Sequence, residues 1–257
     1  MAGTRTRGAY LRRRTGRRRR ILNGSHGVII RPVPAFTPFI VVSLVQVIAI
    51  AAGAAALVQV TKPLLMPALA VAVLLARLGK RFTLAVGLLL LAIGLSWAGD
   101  LALMLPGDLW FVVGLGSFLL AHVAYLVLFV RIGGFGRPRA WAIVYAVWFV
   151  VFLAVLIPGL GSLVVPVVLY GLVLGAMATA ATRVSALVAA GAAVFVVSDS
   201  ILALSRFLPA VVIPGHDVLT MLTYCVGQGL IAAGVLAVIG RAGSEEARPE
   251  SSRARAA

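Results

Sequence analysis

The sequence predicts an all-α, polytopic membrane bundle of eight transmembrane helices with both termini in the cytoplasm. Three observations carry that prediction. Of 257 residues, 62% are hydrophobic and only 12% are charged, against about 45–50% and about 25% in an ordinary soluble domain; mean hydropathy is +1.10. No single core can hide that much apolar surface, so lipid must serve as the solvent. Apolar runs long enough to cross a bilayer as helices recur eight times, with turn chemistry between them. The short alternating strands of a membrane barrel do not appear in the sequence.

The chain opens on a basic tail, residues 1–37, with nine arginines among the first twenty residues in RTRGAYLRRRTGRRRR. Nucleic-acid binding is one reading of such a run. Membrane orientation is the better one: a cytoplasmic tail that touches anionic headgroups. It has too few apolar residues to pack, so disorder is expected. A signal peptide is a poor fit, because the apolar run starts only near Pro38 and is too long for a cleaved core.

The membrane domain is expected over 38–240, with spans near 38–60, 62–78, 82–105, 109–131, 139–158, 163–181, 184–206 and 216–240. The breaks read LGKRF, PGD, GGFGRPR, PGLGS and PGHD. Pro158 and Pro166 crowd the junction of the fifth and sixth spans. Residues 241–257 form a polar tail expected to be disordered and cytoplasmic. With eight spans, the N-terminal tail, Arg77, Lys80, Arg81, Arg131, Arg137, Arg139, Arg183 and Arg241 fall on one side, which should be the cytoplasm. The protein is therefore expected as a multi-pass protein of the cell (plasma) membrane.

Two basic residues break that pattern. Lys62 opens the second span and Arg206 closes the seventh, both toward the other face. Each either snorkels to the headgroups or holds an anion near that face. Lys62 is one of two lysines in a chain with 21 arginines. GDLALML near the end of span three resembles SDSILAL near the end of span seven. Four helices separate them, which suggests a parallel four-plus-four duplication.

Of seven acids, only Asp100 and Asp199 lie inside spans; the others fall in loops or the C-terminal tail. Each costs about 2.5–3.5 kcal/mol at a helix centre and less toward an end. Counting from span ends puts both in one layer of the outer half of the bilayer. Each acid could simply satisfy a neighbour, Asp100 with Ser96 or Asp199 with Lys62 or Arg206. Intramembrane ionisable residues mark substrate or ion sites by default, however, and two at one depth strengthen that default. His122 is the histidine inside a span, with Phe118 and Tyr125 on its face; structural and site roles are both open to it. Tyr224 and Gln228 share a face of the last span, and a buried glutamine must find partners across helices. Cys225 is the single cysteine, which excludes an intramolecular disulfide and disfavours a cysteine-based zinc site. No Walker A, GxSxG or HExxH pattern occurs.

TKPLLMPALA (61–70), GDLALML (99–105), GLGSFLLAHVAYLVLF (114–129), SDSILAL (198–204) with Arg206-Phe207, and TYCVGQGLI (223–231) arrive in order along the chain. Together they resemble the YhhN family of multi-pass membrane proteins, which includes lysoplasmalogenases. The arginine-rich tail is not part of the pattern. The resemblance implies hydrolysis of the vinyl ether bond of lysoplasmalogens to a fatty aldehyde and a glycerophospho-alcohol. It carries over to Lys62, Asp100, His122, Tyr125, Asp199, Tyr224 and Gln228. Asp100 and Asp199 are the expected catalytic pair. Lys62, His122, Tyr125, Arg206, Tyr224 and Gln228 are the expected substrate-binding set, with Lys62 and Arg206 suited to a phosphate. The partners implied are a lysophospholipid or other ether lipid and the bilayer, not nucleic acid. The chemistry needs neither a metal nor a cofactor. Two other readings compete: a proton-coupled transporter or lipid-binding membrane protein using the same polar site, and a structural protein whose polar residues only pack helices.

Overall fold

A computed structural model describes residues 32–246. The expected disorder of 1–31 and 247–257 lies outside the described residues. The chain order is α1 Pro32–Ala35, α2 Thr37–Ala51, α3 Ala55–Ala76, α4 Leu84–Ala102, α5 Asp108–Gly133, α6 Ile143–Leu160, α7 Val164–Ala181, α8 Ala186–Phe207 and α9 His216–Glu246. No strand occurs among the described residues.

Six helical stretches are long and apolar enough to cross a membrane, among them Ala55–Ala76, Leu84–Ala102, Asp108–Gly133 and Ala186–Phe207. The expectation of eight differs from this in two places. Thr37–Ala51 is apolar but has only 15 residues, about 22 Å of helix against a hydrocarbon core of about 30 Å. Ala140–Ala181 is one unbroken apolar stretch of 42 residues, twice what one crossing needs. It folds back at Gly161, whose φ of +51° favours glycine. The ring of Phe149 in α6 then lies against Gly171 in α7, a contact that a hairpin allows and a straight helix forbids.

The first two expected spans meet in the wrong place. The sequence puts the break at Thr61-Lys62, before a proline. The structure turns at Gly53, with φ +67°, and α3 runs unbroken through Pro63 and Pro67. Proline at 67 cannot donate a hydrogen to the Pro63 carbonyl one turn back. The indole N–H of Trp97 in α4 donates to that carbonyl instead, at 2.9 Å. A neighbouring helix thus satisfies the freed backbone group, which is how proline is tolerated in a membrane helix. Lys62 consequently sits seven residues inside α3 rather than at its start.

Basic residues gather at one end of the bundle. There Arg183, after α7, donates to the carbonyls of Gly133 at the end of α5 and of Arg137 beyond it. At the other end Arg206 of α8 meets Asp108 of α5. Beyond sequential neighbours, α5 packs on α7, α3 on α9, α2 on α9 and α6 on α8. The α8–α9 contact is close because small residues line it: a Cβ on Gly191 would meet the Ile231 nitrogen at 2.8 Å and the Gly227 oxygen at 2.9 Å.

The outside is greasy and polar groups are inside. Ile143, Val150 and Leu109 are exposed, while Gln46, Ser96, Asp100, His122 and Gln228 are buried. That inversion is the signature of a protein solvated by lipid, where interhelical hydrogen bonds and close packing hold helices together. Thr61 of α3, for instance, donates to the Gln46 side chain of α2.

Candidate functional site

Asp100 lies three residues before the α4 C-cap, and Asp199 lies eight before the end of α8. Both line one cavity of about 140 Å³ in the half of the bundle away from the basic end. Asp100 is only 4% exposed, and the Asp199 side chain is 15% exposed.

Each acid is held by a phenol from another helix. Tyr224 of α9 donates to Asp100 Oδ2 at 2.7 Å. Tyr170 of α7 donates to Asp199 Oδ2 at 2.6 Å. Each bond ties its carboxyl group to a second helix and orients one of its oxygens. One turn from the first pair a second bridge repeats the link between α4 and α9. Gln228 donates to Ser96 Oγ at 3.1 Å and accepts from Tyr125 at 2.5 Å. The (i, i+4) spacings Ser96/Asp100 and Tyr224/Gln228 place both bridges on matching helix faces.

The Ser198-Asp199-Ser200 triplet shows why an α-helix suits the second acid. Successive side chains turn by about 100°, so the three face three different neighbours. Ser198 donates to the Thr220 carbonyl of α9 at 2.9 Å. Asp199 takes the Tyr170 phenol. Ser200 accepts from the Trp148 indole of α6 at 3.1 Å. On α4, Gly99 leaves room for the Phe118 ring, which a Cβ would meet at 2.6 Å. That ring lines the cavity beside Asp100.

His122 is wholly buried, with Nε2 4.0 Å from Asp199 Oδ2. That is beyond hydrogen-bond reach. Neither imidazole nitrogen has a hydrogen-bond partner of normal geometry. Tyr170 and Phe195 meet the ring edge-on at centroid distances of 5.2 and 5.0 Å. An unpartnered buried polar group is costly, so His122 stands out beside Asp199.

The remaining expected residues separate. Lys62 reaches the cavity from α3. Tyr125 and Gln228 stand behind the acids in the hydrogen-bond network and do not line the cavity. Arg206 is engaged elsewhere: its guanidinium donates to Asp108 at 2.5 Å and lies 4.9 Å from the Phe111 ring centre. Phe111 and Phe207, edge to face at 5.7 Å, form the cavity rim beneath it. Tyr170 is a site residue that the sequence does not single out. Its signal is a tyrosine deep inside an apolar run, away from the membrane interfaces where tyrosines gather. The other walls are apolar, with Leu115, Phe152 and Leu174 among them.

This arrangement puts two carboxylates, one ammonium group and an unpartnered imidazole at the inner end or beside a greasy slot. It can move protons in a largely apolar surrounding, and it can hold a chain with a charged head. The family model described as the YhhN family matches residues 57–235, which contain every site residue named above. Neither the curated proteins nor the solved structures contain a match to the chain.

Proposed function

The chain belongs to the YhhN family, and from that premise we propose that it is an integral-membrane hydrolase that cleaves the vinyl ether bond of lysoplasmalogen-type lysophospholipids. The observation that carries the reading is that Asp100 and Asp199, each oriented by a phenol, face one apolar-walled cavity with Lys62. The full proposal has eight crossings, with α2 and the α6–α7 hairpin counted as three, and both termini in the cytoplasm of a cell-membrane protein. The pairings α5–α7 and α3–α9 support the four-plus-four duplication, because each is the other's counterpart when the halves are exchanged.

A vinyl ether is hydrolysed by protonating its β-carbon. One carboxylic acid delivers that proton, and the double bond's electron pair forms the new C–H bond. The resulting oxocarbenium ion lies next to the second, ionised carboxylate, which stabilises it and orients a water. Glycosidases divide the same labour between two carboxyl groups around a similar cation. Water adds to the α-carbon and loses a proton to the base. The hemiacetal then collapses to a fatty aldehyde and the free hydroxyl of a glycerophospho-alcohol. The apolar wall takes the hydrocarbon chain, and Lys62 takes the phosphate.

The unpartnered His122 beside Asp199 favours a second reading, a proton-coupled transporter using the same groups. One experiment separates the two. The purified protein is incubated with lysolipids carrying vinyl ether, alkyl ether or acyl linkages, and aldehyde is assayed. Aldehyde from the vinyl ether substrate alone supports the hydrolase. No aldehyde, with proton flux in liposomes, supports the transporter.

A further inference from the structure

A second hollow, a groove of about 830 Å³, lies on the other side of α9. Thr220, Met221 and Tyr224 face the candidate site, whereas Leu222, Cys225 and Val226 face the groove. Its walls are mostly apolar side chains of α2 and α9, with the Ser43 hydroxyl among them. At the basic end of the bundle its lining changes to Arg77 and Lys80. Arg77 spends one guanidinium nitrogen on the Arg81 carbonyl at 3.0 Å, and its Nε is buried without a partner. Lys80 is exposed. The groove runs from Phe36, just before α2, to Val47, about 16 Å of helix rise, and along α9 from Leu222 to Gly240, about 27 Å. The α2 wall covers roughly half of a ~30 Å hydrocarbon core, the depth of one leaflet, and the α9 wall continues beyond it.

We infer that this groove is a binding site for one anionic phospholipid of the leaflet at the basic end, its phosphate on Arg77 and Lys80 and an acyl chain between α2 and α9. The occupant must be apolar along at least one leaflet's depth and negative at its end. The N-terminal residues 1–31 fit poorly, because they carry ten arginines and no acid and would meet like charge at the rim. A second copy of the chain would bring the same cations to the same rim. A zwitterionic phospholipid fits the walls but gains less from two cations. Phe36, Phe39 and Ser43 lie before the stretch matched by the family model, so the groove is built partly from sequence outside it. The proposal does not depend on the reaction at Asp100 and Asp199.

The test uses the purified full chain in micelles, with phosphatidylglycerol and phosphatidylcholine of equal chain length as probes, read by native mass spectrometry. Phosphatidylglycerol should bind roughly tenfold to thirtyfold more tightly, the discrimination that two cations near a membrane surface supply. Arg77→Gln with Lys80→Gln should abolish the preference. Val226→Trp, at a lipid-facing position, should displace both lipids while leaving size-exclusion behaviour unchanged. Equal binding of the two lipids overturns the proposal. So does a preference that survives the double substitution, which would assign it to the arginine tail. Phosphatidylglycerol binding that appears only after residues 1–31 are removed, or lipid binding lost on dimer formation, would make the groove a seat for the tail or for a second copy and also overturn it.

Discussion

Tyr170 donates its phenol hydrogen to Asp199 Oδ2 at 2.6 Å, joining α7 to α8 at the edge of the cavity. Tyr224 does the same for Asp100 from α9 at 2.7 Å. Each intramembrane acid thus has its own phenol. A hydrogen bond to a charged group contributes roughly 1.5–3 kcal/mol. Tyr170→Phe and Tyr224→Phe should each lower turnover of a lysoplasmalogen by about 10–100-fold. Full turnover with a lowered melting temperature would reduce the phenols to helix glue.

Asp100→Asn and Asp199→Asn keep shape and can still accept from the tyrosines, but cannot carry the proton or the charge. Aldehyde release should fall by about 10²–10⁴-fold in each, the range for loss of a general acid or base. Size-exclusion profile and helical circular dichroism should stay unchanged. Near-wild-type turnover in either variant sinks the two-carboxylate mechanism.

Lys62 is the cation that lines the cavity, whereas Arg206 is occupied by Asp108. Lys62→Met should lower kcat/KM for a lysophospholipid about tenfold or more. A vinyl ether glycerol without the phosphate should show little change. Equal losses on both substrates would exclude phosphate recognition. Arg206→Gln, at an exposed ion pair, should move stability by no more than about 1 kcal/mol.

The bond from Trp97 to the Pro63 carbonyl replaces the donor that Pro67 cannot supply. Trp97→Phe should therefore lower the melting temperature in detergent by about 2–6 °C, as one lost hydrogen bond does in a chain of this size. Pro67→Ala restores a backbone N–H to that position of α3. The double variant should recover part of the loss. If it recovers none, packing rather than the hydrogen bond links the indole to α3.

Gly191→Ala would push a methyl into backbone atoms of α9. A destabilisation of about 1–3 kcal/mol is expected, seen as a lower melting temperature. Gly94→Ala meets nothing within 4 Å and should be neutral or stabilising, because alanine is the better helix former. The opposite ranking would mean that α8 and α9 do not approach as closely as described.

Much of this was legible along the chain. Asp100 and Asp199 stand out because a charge in an apolar run has no cheap explanation, and both do face one cavity. The Tyr224/Gln228 spacing correctly marks a polar helix face. Tyr170 was hidden because one hydroxyl barely changes the hydropathy of an 18-residue run. The sequence reads Lys62 as the opening residue of the second span, whereas α3 runs through it and Pro63. In the bundle a tryptophan from the next helix satisfies the backbone that proline frees.

The lipid solvent, most of the helical stretches, the basic end and the two costly acids can be read from the chain alone. These follow from composition and local periodicity, which each segment carries alone. The tertiary structure decided which helices are neighbours. In lipid, an outward-facing leucine and a core leucine read alike, so hydropathy cannot tell a helix's inner face from its outer one. Pairing comes instead from small residues such as Gly191 and Gly227 and from hydrogen bonds between distant segments. That is why the acids, the phenols that hold them and the unpartnered His122 became one site only when the helices were assembled.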